Sequence, residues 1–252
     1  MSEMAGVQVT PTQATQFQTE LQEVQHILES ELADLYSPLV ELARNQLQRT
    51  QPLRRAALVL ATGFNQPDTP ALRQQRLLLA AAQEMLVIAL NIHKLLLRSQ
   101  ISPGDAAQAA VTGGIILTGD YCFTRSAILA ARTDHVQVVE HFSVALKTIS
   151  EGLLRRLFQE REQTGAVSNQ DGAVYHENED LFAAGIQSAA LLADLPVATT
   201  TAISTLGRQL AQGLVQPASV AVPPTAPFAA QLEPAQTERW LAFLAWWQST
   251  MA

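Results

Sequence analysis

One stretch constrains this chain more than any other. From Thr69-Pro70 the residues first alternate at helical spacing, and then, from Leu77 to Leu97, become apolar almost all round. A helix apolar on every side must be enclosed by others, so this segment predicts a buried central helix over about 70–99. It is broken by Gln83, Glu84, Asn91, His93 and Lys94, too many polar groups for a membrane span.

The rest of the chain reads as helices to surround it. Small polar residues followed by proline, at Ser37-Pro38, Thr69-Pro70 and Ser102-Pro103, mark helix starts, because the first turn has no use for proline's missing N–H. Asp134 is a further expected N-cap. Helices are predicted near 13–35, 38–50, 53–63, 70–99, 103–112, 115–132, 135–163, 177–193 and 197–215, with Gly113-Gly114 between two of them allowing a helix break or a close helix contact. No strand alternation is visible. Residues 164–174 have loop composition, and Pro217, Pro223, Pro224, Pro227 and Pro234 exclude an ordinary helix across 216–234. The expected organisation is therefore one all-α domain over 1–215, a Pro-rich linker over 216–234 and an aromatic helix within 235–252. Trp240, Phe243 and Trp247 share one side of that helix and are expected to pack back onto the bundle.

Charge narrows the function classes. Only 15% of the 252 residues are charged, the net charge is −7 and 48% are hydrophobic. No basic field exists to attract nucleic acid, and so little charge predicts a surface partly covered by another subunit. The single cysteine, Cys122, rules out an intrachain disulfide and a cysteine-based zinc site, and fits a reducing compartment. The first residues, MSEMAGVQVTPTQ, lack the basic start and apolar core of a signal peptide, so the sequence reads as cytoplasmic and without a transmembrane segment.

Between Glu84 and Asp120 the order of residues resembles the trans-isoprenyl diphosphate synthases, the polyprenyl synthetase family. Glu84 and His93 stand at the family's separation, and Gly119-Asp120 opens GDYCFTRSAILAA, similar to the family's Gly-Asp helix. ISEGLLRR (149–156), LFAAGIQSAALLADLP (181–196) and LGRQLAQGL (206–214) resemble later family segments in the same order, so the resemblance covers about residues 50–215. It implies an isoprenoid synthase-type helical bundle.

The resemblance also shows what has changed. Where the family carries Asp-Asp-x-x-Asp after the histidine, this chain has Lys94, Leu95 and Arg98, a change in charge from −3 to +2. Magnesium needs hard oxygen ligands, and these side chains supply none. The second aspartate motif falls near Ala218, Ser219 and Val222, and the family's Lys-Thr pair near Glu177 and Asn178. Of the segment that holds isopentenyl diphosphate, the lysine and first arginine correspond to Gln51 and Pro52, and only Arg54 matches.

The resemblance therefore implies a catalytically silent homologue, a subunit or regulator of an active isoprenyl diphosphate synthase. The chain itself is expected to need no cofactor, with Mg²⁺ confined to a catalytic partner. The partner is either that synthase or a second copy, and the family's interface corresponds to helices near 115–132 and 135–163. Ala89 and Leu90 match the positions lining the family's product tunnel. Arg54, Lys94 and Arg98 form an alternative, a metal-free site for a prenyl diphosphate, since Lys94 and Arg98 lie one turn apart. A weak stand-alone prenyltransferase is the other alternative.

The remaining candidates have plainer readings. His93 on an apolar helix is expected to be a satisfied core histidine. His135 and His141 are six residues apart and share no helix face, so they imply no metal. The acidic run His176-Glu177-Asn178-Glu179-Asp180 suits a helix N-terminus, and Arg155, Arg156 and Arg161 a solvated face.

Overall fold

The computed structural model describes residues 11–98, 106–163, 177–215 and 232–251, and every regular element among them is helical. In chain order these are α1 (Pro11–Ala33), α2 (Leu39–Thr50), α3 (Arg54–Thr62), α4 (Pro70–Arg98), α5 (Ala106–Ala131), α6 (Val136–Gln163), α7 (Glu177–Leu192), α8 (Val197–Val215) and α9 (Pro234–Ser249). The all-α expectation holds.

Helix α4 is the axis. Every residue from Arg76 to Leu90 is buried, and the helix packs along α5 and against α1, α2, α3 and α7. Its apolar window is long enough to cross a membrane, but 83% of it is buried inside the bundle, as a core helix requires. At its start Thr69 caps the first turn, its hydroxyl accepting from the Leu72 N–H at 3.2 Å.

Two expectations need correcting. The break allowed for at Gly113-Gly114 does not occur, and α5 runs unbroken through both glycines. Its inner face buries Thr118, Cys122, Ser126 and Leu129, and the Ser126 hydroxyl donates to the Ala82 carbonyl of α4 at 2.8 Å. Glycine costs a helix about 1 kcal/mol per residue, less than this packing returns. Asp134, expected as an N-cap, instead adopts a left-handed backbone (φ 59°) in the turn that closes α5, and α6 begins at Val136. Aspartate is one of the few residues that tolerates this conformation. The Ser102-Pro103 start and residues 216–231 of the expected linker lie outside the described residues.

Helix α9 returns to the bundle as expected. Trp240, Phe243 and Trp247 are buried; Phe243 meets Phe17 of α1 edge-on at 6.3 Å, and Trp247 meets Phe182 of α7 at 6.4 Å. A buried ionic group fixes the same contact. Glu20 of α1 receives both Arg76 of α4 (2.9 Å) and Arg239 of α9, and Arg76 also pairs with Asp68 at 2.9 Å. Glu20, Arg76 and Arg239 have no exposed side-chain surface. Burial pulls the Arg239 guanidinium down to about 10, against the attraction of Glu20. Phe17 and Phe64 lie under its charge, at 4.7 and 5.3 Å.

Candidate functional site

The residues singled out by the sequence gather at two places on α4. The first is the start of α3. Leu53, at the helix N-cap, offers no side-chain acceptor, so the first N–H groups are satisfied from outside. Glu84 of α4 does this: its Oε1 accepts from the Arg55 N–H at 3.1 Å and the Ala56 N–H at 3.0 Å. The carboxyl is fully buried, and desolvation raises its pKa although Arg55 and the two N–H groups favour the charged form. Arg55 then reaches α7, donating to Asn178 Oδ1 at 2.6 Å. Nothing but the apolar surroundings of Glu84 signalled this cap in the sequence, and its receiver could not be read there.

Arg54 sits beside this cap, but its guanidinium is already engaged within the chain. Nη2 donates to the Thr250 carbonyl just past α9 at 2.6 Å, and the group lies 5.8 Å from the Trp247 ring. Burial, reinforced by neighbouring Arg55, lowers its pKa.

The second place is the last turns of α4. Lys94 lies ten residues beyond Glu84, about 15 Å along the helix axis. Lys94 Nζ donates to Asn91 Oδ1 at 3.5 Å. Arg98 ends α4, and its side chain lies outside the described residues. His93 is not the core histidine expected. Its side chain is 38% exposed, and Nε2 stands 3.2 Å from Asp120 Oδ1 on α5. Gly119 makes this approach possible, because a Cβ there would overlap the imidazole. The pair Gly119-Asp120 was legible in the sequence, but its facing His93 was not.

Among the described residues no three His, Cys, Asp or Glu side chains converge. Positions 218, 219 and 222 lie outside the described residues. Ala89 and Leu90 are buried in the continuous core. Nearby Cys122 is also buried, which pushes its thiol up to about 12 and leaves it protonated at neutral pH. His141 Nδ1 lies 3.1 Å from Ser188 Oγ, and burial lowers its pKa against the pull of Glu140.

A different kind of site lies on the outside of α5 and α6. Val111, Ile116, Leu117, Phe123 and Ile128 of α5 are 37–65% exposed, and Val136, Val144, Leu154 and Phe158 of α6 are 53–80% exposed. Most of the large exposed apolar residues among those described are on these two helices.

Comparison with solved structures places the architecture. Polyprenyl synthase from Caulobacter crescentus CB15, solved with calcium and isoprenyl diphosphate, superposes with a TM-score of 0.63 at 23% identity, over 81% of this chain and 62% of that one. Geranylgeranyl pyrophosphate synthase from Lactobacillus brevis gives 0.62 at 21% identity, over 81% and 64%. An isoprenoid synthase family member from Thermotoga neapolitana gives 0.60 at 17% identity, over 92% of this chain and 94% of that one. The chain thus spans under two thirds of the first two synthases and nearly all of the third. No family model matches the chain, and no curated protein does. The fold is that of the isoprenoid synthases.

Proposed function

We propose that this chain is a catalytically silent relative of the polyprenyl synthases, acting as a subunit or regulator of an active isoprenyl diphosphate synthase. The observation that carries the reading is the end of α4. Lys94 and Leu95 occupy the positions where the resemblance calls for metal-binding aspartates, and a cation there repels the divalent ion that draws charge off a leaving diphosphate. The exposed apolar residues of α5 and α6 support the second half of the reading, because they supply a surface for a partner subunit. The chain's own contribution is then to stabilise the active subunit or to tune its product.

Two measurements test it. The purified chain, given an allylic diphosphate, isopentenyl diphosphate and Mg²⁺, is expected to form no longer prenyl diphosphate; Mg²⁺-dependent product from the chain alone overturns the proposal. Purification from the native host is expected to bring a catalytic prenyl synthase with it, and the complex to differ from that synthase alone in rate or product length.

A further inference from the structure

A small cleft lies where α1, the turn between α2 and α3, and α9 meet. From α1 come Gln18, Leu21, Gln22 and Gln25, which share one face at helical spacing. The turn supplies Gln51, Pro52 and Leu53, and α9 supplies Trp246. Together they enclose about 240 Å³. Two features set the cleft apart from ordinary surface. The first is its tryptophan. Trp240 and Trp247 are 3% and 2% exposed, whereas Trp246 is only half-buried, and Phe17 holds its ring edge-on at 5.8 Å. The second is the chemistry of the lining, which combines four glutamines with apolar side chains and includes no charged group among the described residues. Gln25 Nε2 donates to Glu29 Oε1 at 2.8 Å, while Gln18, Gln22 and Gln51 are exposed to water.

We propose that this cleft binds a neutral sugar ring. An anionic ligand finds no cation in the lining, and a cationic one finds no carboxylate. Gln51 and Pro52 stand where the resemblance calls for the lysine and arginine that hold a diphosphate, so a diphosphate is not the ligand here. A primary amide offers two N–H donors and a carbonyl acceptor, which answers hydroxyl groups that both donate and accept. Trp246, with Leu21, Pro52 and Leu53 beside it, answers the C–H face of a pyranose, because an indole is a rigid apolar plate with one polar edge. A wholly apolar ligand would cover the glutamine amides without pairing them. A nucleotide also carries donors, acceptors and a flat face, but its phosphates need cations that the lining lacks. The volume is below that of sites for drug-sized ligands, so it suits a single ring rather than a long oligosaccharide.

This site goes beyond the proposed function and does not depend on it. Its test titrates the full chain with the methyl glycosides of glucose, galactose, mannose and N-acetylglucosamine, read by tryptophan fluorescence and by saturation transfer to the sugar protons. At least one glycoside is expected to bind saturably with a Kd of about 1 mM, the strength of a small neutral ligand with few contacts. Because Trp240 and Trp247 are buried, the change in fluorescence is expected to come from Trp246. Trp246→Ala is expected to abolish that change and to weaken binding by about tenfold. Gln22→Ala alters an exposed side chain, leaves the core untouched and is expected to weaken binding by about threefold or more. Failure of all four glycosides to bind saturably, or binding that either variant retains unchanged, overturns the inference. Adenosine binding more tightly than any glycoside also overturns it, since the cleft would then be a platform for a stacked base. None of these results bears on whether the chain condenses prenyl diphosphates, so failure here is distinguishable from failure of the proposed function.

Discussion

The α1–α4–α9 junction and the outside of α5–α6 invert the usual arrangement in opposite ways. The junction buries Glu20, Arg76 and Arg239, charges that ordinarily stay in water. The α5–α6 face leaves Leu117, Val144 and Phe158 exposed. The difference lies in where each group finds its partner. A buried charge must be paired inside the chain or the fold does not form, so Arg76, Arg239 and Asp68 converge near a single glutamate. An exposed apolar residue costs the monomer little, so its partner can be a separate molecule.

The strongest way to break this contrast is at the junction. Glu20→Ala leaves Arg76 and Arg239 buried beside each other and is expected to destabilise the chain by about 3–5 kcal/mol in denaturant titration. A loss below about 1 kcal/mol would mean the charges are hydrated and the contrast is false. Next is Gly119→Ala, which forces a methyl group into the His93 ring and is expected to cost about 1–3 kcal/mol. Adding His93→Ala is expected to recover part of that loss, because the two changes share one contact.

The buried carboxyl of Glu84 offers a smaller, pH-dependent effect. Its folded pKa is raised above the ordinary 4.5, so the folded state holds its proton more tightly than the unfolded state. The resulting stabilisation is complete below about 4.5 and is lost as pH rises through the folded value. Stability relative to Glu84→Gln, measured by thermal unfolding across a pH series, is expected to fall as pH increases. A flat difference would remove desolvation as the dominant influence. The smallest effect belongs to the outer face. Leu154→Ser in dilute protein is expected to change unfolding free energy by no more than about 0.5 kcal/mol, since its side chain is largely in water already. A larger loss would place Leu154 in the chain's own core.

Legibility followed the range of the interactions. The central helix was readable because its apolar residues repeat locally, and the aromatic side of α9 because Trp240, Phe243 and Trp247 fall at helical spacing. The continuity of α5 was not readable. Gly113 and Gly114 argue locally for a break, and only the packing of Thr118, Cys122 and Ser126 against its neighbours overrides them. The candidate site divides in the same way. That Lys94 and Leu95 stand where the resemblance calls for acidic residues needs only the order of the chain, whereas the pairings His93–Asp120, Arg55–Asn178 and Arg54–Thr250 join residues 27 to 196 positions apart.

The sequence alone determined that the chain is helical and which helix lies at its centre. These properties depend on residue type and on spacing within a turn or two. Only the tertiary structure decided that Glu84 caps α3, that Glu20 gathers two arginines, and which sides of α5 and α6 remain uncovered. Those outcomes depend on which helices meet, and a chain's local periodicity carries no record of the neighbour that each face will find.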